Sequence, residues 1–556
     1  MAKLRIGLLL DAFDVSAWEY AVIRQLLESD YATVALVVLN EQRPRSLGRQ
    51  FQRLWTNKHK IVHYVYSKLD RKLFKSKCVP DAFEERDASK LLQDVPVLQV
   101  KPRQTTFSDY IERADIEQIR SHDLDILVRV GFRILRGEIL SAARYGVWSY
   151  HHGDNLVNRG GPAGHWEVFE NWDATGTVLQ ILQEDLDNGL VLFRTWAATQ
   201  PLSPSVSRNA YFWHASAILN RKIRELHDVG PGAFFAQVDR DNRDLVLYSQ
   251  RLFTEPGNLA AIKYIGRQLC KVCREFWRRT FYISDFWILM YQLNKADIGG
   301  SLWRYKKIIP PKDRFYADPH VVYRDGQYYI FIEEFLFGPR KGHISLIVMQ
   351  PDGTYAAPVT VLERDYHLSY PFVFQVDGED YMIPETAANG TIELYKAERF
   401  PDQWTRVGNL FENITAFDTT LYFKEGRWWL FTNIVEAAGA SGWDELFLYY
   451  ADDLLGPWTA HPNNPIVSDA RNARPAGRIF ERAGKIYRPA QNSSHGQYGF
   501  GFNINEIVTL STTQYEERTV SRVEPNWDRR ISATHSFSHD EKLTMIDAIY
   551  RRRRFL

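Results

Sequence analysis

The chain has 556 residues, 45% apolar and 25% charged, an ordinary composition for a folded protein but too long for one hydrophobic core. A formal net charge of +1 gives no global case for a nucleic-acid partner, and three cysteines exclude a disulfide scaffold and fit a reducing compartment. Aromatic residues reach 14% and crowd into the second half, which suits either a carbohydrate-handling surface or a β-rich core.

The N-terminal MAKLRIGLLLDAFD has one short apolar run and no small-residue cleavage site, so it reads as a buried first strand, not a signal peptide. No run of about 18 apolar residues exists, no spanning helix is predicted, and a cytoplasmic location is expected. Over residues 1–140 the pattern alternates. Strands are predicted at Ile6–Leu10, Val34–Leu39, Pro96–Val100 and Ile126–Val130, with helices over Trp18–Leu27 and around Ile116–Arg120. Short apolar strands alternating with amphipathic helices predict a doubly wound α/β domain with a parallel sheet. No GxGxxG follows the first strand, which argues against a dinucleotide site. The basic insert around Arg43–Lys77 reads as a solvated excursion, with a grip on an anionic substrate as the alternative.

The most informative stretch of this half runs from Gly146 to Leu192. A β-rich run ends at His151 and His152. A polar turn with Asn155 and the breaker Arg159-Gly160-Gly161-Pro162 follows, then an aromatic helix, a strand and the acidic turn Asp185-Leu186-Asp187-Asn188-Gly189. An imidazole at a strand end with a later carboxylate is how a general base and its orienting acid are usually presented. In an open α/β sheet ligands sit at the carboxyl ends of strands, where both His151 and Asp187 are expected.

The series Ser149-Tyr150-His151, Arg159-Gly160-Gly161-Pro162, Thr175-Gly176 and Leu186-Asp187-Asn188-Gly189 resembles the N-terminal domain of the formyltetrahydrofolate-using formyltransferases, over roughly residues 1–230. That resemblance implies 10-formyltetrahydrofolate as cofactor, His151 as base on an attacking amine, Asp187 as its partner, and no metal. The family's oxyanion-donating Asn is replaced here by Ser149, a shorter donor, and loss of one such donor costs on the order of 3 kcal/mol. Ser149 through a water, His152 or Asn155 could supply the donor instead, or the chemistry has changed or been lost. His152, Asn155, Arg159 and Gly160 are taken as substrate-binding.

Residues 205–228 read as one helix closing the domain, followed by a short polar strand region near Asp244–Tyr248 and a Pro256-Gly257 boundary. Domain limits are set at 1–255, 256–300 and 301–556. The connector, helical over 258–294, interleaves Lys263, Arg267, Lys271, Arg274, Arg278 and Arg279 with Ile262, Ile265, Leu269, Phe276 and Trp277. Such a helix either packs its apolar stripe between domains or lies on an anionic membrane as a peripheral contact. Cys270 and Cys273 have no second Cys/His pair nearby and read as filler.

From Ser301 the grammar is all-β. A polar residue on a first strand, a turn and an aromatic second strand recur at Ala317-Asp318-Pro319-His320, Ser369-Tyr370-Pro371-Phe372, Ala416-Phe417-Asp418-Thr419 and Pro475-Ala476-Gly477-Arg478, with a weaker fifth unit at Ala533-Thr534-His535-Ser536. A repeat of this kind predicts a five-bladed propeller whose first strands line the channel. Asp318, Glu385, Asp418, Arg488, Gln491 and His535 are then expected to face one axial pocket, and paired carboxylates there are the working parts of glycosyl chemistry.

This half is similar to the propellers of arabinanase- and invertase-type glycosidases. On Phe315-Tyr316-Ala317-Asp318-Pro319, Ile383-Pro384-Glu385-Thr386, Arg474-Pro475-Ala476-Gly477-Arg478, Tyr487-Arg488-Pro489-Ala490-Gln491 and Thr534-His535-Ser536 it more closely resembles the N-terminal domain of the plant glucosamine inositolphosphorylceramide transferases, over about 301–550. No general-acid Glu opens the fourth unit; Arg474 and Arg478 stand there and would suit a phosphate-bearing donor or acceptor. The favoured expectation is an enzyme of glycoconjugate biosynthesis that formylates an amino sugar, nucleotide-linked or lipid-linked, with the propeller binding or transferring the sugar. The alternatives are glycosyl transfer or hydrolysis by the propeller beside a degenerate first domain, and a non-catalytic carbohydrate-recognition protein.

Overall fold

A computed structural model describes residues 2–41, 57–184, 189–244, 247–293 and 298–555, and divides into Met1–Cys270 with Ala437–Ala440 and Lys271–Glu436 with Ser441–Leu556. The first unit is built on a seven-stranded sheet: β1 (Leu4–Leu10), β2 (Ala32–Asn40), β3 (Val97–Val100), β4 (Ile126–Arg129), β5 (Val147–His151), β6 (Ala174–Ile181) and β7 (Leu190–Ala198), in the order β7-β6-β5-β4-β1-β2-β3. Strands β1 to β5 pair in parallel, as the alternating sequence predicts, and β6 and β7 continue the sheet antiparallel. Alternation decides where the side chains go. Ile6, Leu8 and Leu10 enter one core with helix α1 (Ala17–Leu27), while Leu9 enters another with Ile116 and Ile119. Both faces of β1 are therefore covered, which is the doubly wound arrangement.

Local rules explain the helices. At the start of α1 the Glu19 carboxylate accepts from Ser16 N (2.8 Å) and Ser16 Oγ (2.6 Å), closing a capping box. The basic insert folds in part as α2 (Ile61–Leu73), its first residues lying outside the described region; α3 (Arg113–Ser121) covers the other face. After α4 (Trp166–Glu170), the single helix predicted over 205–228 is two, α5 (Pro204–Ala215) and α6 (Ile218–Val229), followed by α7 (Pro231–Asp241). The break follows from a buried phenol. Tyr150 donates to Ala215 O (2.8 Å) and accepts from Leu219 N (3.0 Å), taking the backbone partners a continuous helix would use. No strand is described near Asp244–Tyr248, of which 245–246 lie outside the described residues.

Helix α8 (Asn258–Phe281) is shorter than predicted. Trp287–Leu293, expected as its continuation, is a strand paired with Leu543–Tyr550. Its run WILMY is buried on both faces and contributes to three hydrophobic clusters, so sheet burial overrides the helical reading.

Among the described residues the second unit consists of five sheets of four or five strands. Four are continuous in sequence, with first strands Arg314–Arg324, Ser369–Val376, Ala416–Lys424 and Phe480–Arg482. The fifth combines the chain's Leu543–Tyr550 with Trp287–Leu293 and Lys306–Ile308, so the ring closes through a strand that precedes the first blade. This is a five-bladed propeller, and it begins at Trp287, ahead of the expected 301.

Candidate active site

The first strands of blades one to three share a device. Register skips between Ala317 and His320, between Ser369 and Phe372, and between Phe417 and Thr420, so two residues oppose one. At each β-bulge a non-glycine residue has positive φ: Asp318 (50°), Tyr370 (42°) and Asp418 (49°). Gly477, in the corresponding Ala-Gly-Arg phrase of blade four, has φ 143°. Bulges re-aim side chains, and backbone held in sparsely populated regions clusters at functional sites. Here the re-aimed residues converge: Asp318, Tyr370 and Gly477 line one axial cavity with Ser536.

Two charged groups form around the axis. In one, Arg474 donates through Nε to Asp418 Oδ2 (2.5 Å), through Nη2 to Asp418 Oδ1 (3.1 Å) and to Glu385 Oε2 (3.0 Å), while Gln491 Nε2 donates to Asp418 Oδ2 (2.7 Å). In the other, His535 lies between two carboxylates, Nδ1 at 2.7 Å from Asp547 Oδ2 and Nε2 at 3.4 Å from Asp318 Oδ1, with the Trp287 ring stacked on it at 4.1 Å. Asp547 also accepts from the backbone N–H groups of Asp318, His535 and Ser536. These residues are nearly all buried to within a tenth of their surface.

Burial and neighbours separate the carboxyl groups. Desolvation, opposed by His535, pushes Asp318 up to about 7. Desolvation also raises Glu385 well above its ordinary value, against the pull of Arg474. Glu333 is raised likewise, by burial and by Asp318 and Glu385. Asp547 is lowered instead, because His535 and its hydrogen bonds outweigh burial, and His535 is raised because Asp547 and Asp318 outweigh burial. A set of carboxyls held at different proton affinities is what acid–base chemistry on one substrate requires.

The sequence-predicted Asp318, Glu385, Asp418, Arg474, Gln491 and His535 thus come together. Arg488 does not. It donates to Glu517 (2.8 and 2.7 Å) and to the Asn472 and Ala473 carbonyls inside blade four. It stands three positions before Gln491 on one strand, and an odd offset sends side chains to opposite faces. Nor are the two arginines open to a phosphate: Arg474 is taken by carboxylates, and Arg478 Nη2 donates to Val373 O (2.8 Å) beside His320. Glu333, Asp547, Trp287, Tyr370 and Tyr498 join the cluster without having been predicted. Glu333 had a signal. It stands fifteen residues after Asp318, as Glu385 stands after Tyr370 and Asn433 after Asp418, and each faces the residue before its bulge.

In the first unit, His151 ends β5 at a cleft shared with Arg129, Tyr150 and Gln180, and its Nε2 lies 3.0 Å from Asn158 O. Asp187 lies outside the described residues. Ser149 is buried on β5, where Arg129 Nε donates to its Oγ (2.9 Å). Arg129, which the sequence did not single out, is therefore the cation at the position where the oxyanion donor was sought. The other residues expected to bind substrate have partners within the chain. His152 stacks on Phe212 (3.7 Å) and against Trp18, and burial pushes it well below the ordinary imidazole value. Asn155 accepts from Arg194 (2.6 Å), and Arg159 donates to Asn155 O and lies over Tyr248. Gly160 bridges to Phe253, where a Cβ would come within 2.2 Å of a carbonyl oxygen. The turn they form thereby meets the 248–253 segment through Tyr248 and Phe253.

Residues 308–539 match the family model described as glucosamine inositolphosphorylceramide transferase 1, N-terminal. The glucosamine inositolphosphorylceramide transferase 1 of Oryza sativa subsp. japonica is 33% identical over 210 residues, 37% of this chain and 28% of that protein. The chain thus spans under a third of the length of the curated relative it matches. Among solved structures, Zg3597, a family 117 glycoside hydrolase of Zobellia galactanivorans, aligns with 48% of this chain and 91% of its own at 13% identity and a TM-score of 0.32. Glycinamide ribonucleotide transformylase 1 from Symbiobacterium toebii aligns with 41% of this chain and 89% of its own at 14% identity and a TM-score of 0.28. Residues 308–539, with Asp318, Glu385, Asp418 and Arg474 among them, are similar to the N-terminal domain of the glucosamine inositolphosphorylceramide transferases.

Proposed function

We propose that the propeller is a glycosyl-transferring enzyme of glycoconjugate biosynthesis, acting at its axis. The observation that carries this reading is the convergence of Asp318, Glu385 and Asp418 around Arg474 and His535, with proton affinities set apart by burial and pairing. Breaking or forming a glycosidic bond needs one group that protonates a leaving oxygen and one that takes a proton from the attacking oxygen. Glu385, whose proton affinity burial raises against the pull of Arg474, is suited to the first task. Asp318, titrating near neutrality, is suited to the second. The name of the relatives supports an amino sugar and a phosphate-bearing lipid as the substrate class. Incubation with amino-sugar nucleotides and inositol-phosphate lipids should give a glycosylated lipid that Asp318→Asn and Glu385→Gln no longer form. Turnover by both variants at the rate of the unaltered protein would remove the axis from consideration.

A second reading belongs to the first unit and rests on His151 at the end of β5 beside Arg129 and Ser149. There, acyl transfer from 10-formyltetrahydrofolate to an amino sugar would use His151 as base and the Arg129 guanidinium in place of the missing carboxamide. Release of tetrahydrofolate, abolished by His151→Ala, is the expected result. No release across a panel of amino sugars ends this reading and leaves the propeller reading intact.

A further inference from the structure

Helix α8 carries its apolar residues on the wrong side for a buried connector. Ala261 and Gln268 are its buried positions, and Tyr264 on the same side stacks on Phe169 (4.9 Å). At 100° per residue the opposite face holds Leu259, Ile262, Leu269, Phe276 and Trp277. All are exposed, Leu259 by 84% and Phe276 by 72%. Lys263, Arg267, Lys271, Arg274 and Arg278 follow along one flank of that stripe, and Glu275 is the helix's one acidic residue.

A second cationic segment joins its C-terminal end. Arg554 N donates to Phe281 O (3.0 Å), Ile283 N donates to Arg552 O (2.9 Å), and Tyr282 bridges to Arg553. The run Arg551-Arg552-Arg553-Arg554-Phe555 is thereby fixed against the last turn of α8, with Phe555 exposed by 72%. Within the first unit, the N-terminal end of α8 is tied to α2, where Asn258 Oδ1 accepts from Val62 N (3.1 Å). Helix α2 repeats the pattern: Ile61, Val65, Leu69 and Leu73 are exposed beside Lys68 and Lys72.

We infer that α8 and the Arg551–Phe555 tail dock this protein on an anionic lipid bilayer. The apolar stripe requires an apolar phase, which a polyanion in water does not offer. The cationic flank selects a negatively charged surface, as basic amphipathic helices with Trp and Phe on the other face do. A second copy of the chain fits less well, because Gly266 and Cys273 interrupt the stripe and pairing would bring two cationic flanks together. This inference is independent of whether the propeller transfers sugar.

The test is co-sedimentation of the full chain with vesicles of phosphatidylcholine alone and with about one third phosphatidylglycerol. Binding to the anionic vesicles and not to the neutral ones is expected, with loss at high salt. Lys271→Glu with Arg274→Glu should weaken binding by about a hundredfold, and Phe276→Ser with Trp277→Ser by about tenfold or more. Arg274, Phe276 and Trp277 are exposed and Lys271 is half-buried, and unchanged thermal unfolding of the variants verifies their fold. Absence of binding to anionic vesicles overturns the inference. So does a dimer in solution that Leu269→Glu dissociates, because the stripe then serves self-association.

Discussion

Arg474 and Asp418 meet through a two-pronged contact, Nε to Oδ2 at 2.5 Å and Nη2 to Oδ1 at 3.1 Å, and the same Nη2 reaches Glu385 at 3.0 Å. One guanidinium therefore fixes the distance between two carboxyls that come from different blades. Its planar fork is the reason an arginine stands here, because an ammonium offers a point charge without that geometry.

Removing that fork should cost more than a surface charge does. Arg474→Ala leaves two buried carboxyls uncompensated, and breaking a buried pair in this way costs about 3–5 kcal/mol. Arg474→Lys should recover part of the stability in urea unfolding while leaving sugar transfer impaired, because one ammonium cannot hold both carboxyls. Arg474→Lys matching the unaltered protein in both measurements would show that charge alone, not geometry, matters at this position.

Arg488 provides the contrast. Its pair with Glu517 is as buried as that of Arg474, yet it lies within blade four and away from the axis. Replacing both partners by apolar residues of similar volume, Arg488→Met with Glu517→Leu, should change stability by less than about 2 kcal/mol. Glycosyl transfer should persist. Loss of activity in a folded double variant would place Arg488 in the site after all.

Much of this was legible in the residues. The alternation of LRIGLLL and VALVVL with amphipathic helices predicts the α/β sheet, and the recurring Asp-Pro, Tyr-Pro and Phe-Asp phrases predict the blades. What escaped reading depends on partners distant in sequence. Trp287–Leu293 has helical company on one side and becomes a strand because Leu543–Tyr550 pairs with it. Asp547 has no motif of its own, and its place comes from the His535 and Ser536 N–H groups that donate to it from the connection between two strands. Arg488 is the simpler case, because its odd offset from Gln491 along one strand already places the two side chains on opposite faces.

The close approach at the axis can be probed at Gly477. There a Cβ would lie 1.9 Å from Phe537 O, and φ is 143°. Gly477→Ala should destabilise by roughly 4 kcal/mol, combining a backbone clash with an unfavourable conformation. Gly326 supplies a control, since its φ is also positive (80°) but nothing lies within 4 Å of an added Cβ. Gly326→Ala should cost only about 1 kcal/mol. Comparable losses at the two positions would mean that conformation, and not the approach of Phe537, requires the glycine.

Asp318 links the site to pH. Burial lifts it from 3.8 in the unfolded chain to about 7 in the folded one. Between those values the folded state holds a proton that the unfolded state has released, so stability declines as pH rises through that window. His535, also raised, acts in the same direction through its own folded value, whereas Asp547, lowered, stabilises above the ordinary carboxylate range and loses that contribution in acid. At about 1.4 kcal/mol per pH unit, Asp318 alone can account for roughly 4 kcal/mol between pH 4 and 7. Asp318→Asn removes this dependence. The difference in unfolding free energy between the variant and the unaltered protein should therefore shift in favour of the variant as pH is raised from 5 to 8. Over the same range the activity of the unaltered protein should rise through about pH 7, as Asp318 loses the proton that keeps it from acting as a base. A stability difference that stays constant across this range would show that Asp318 is already ionised in acid, and the assignment of the base would pass to another carboxylate on the axis.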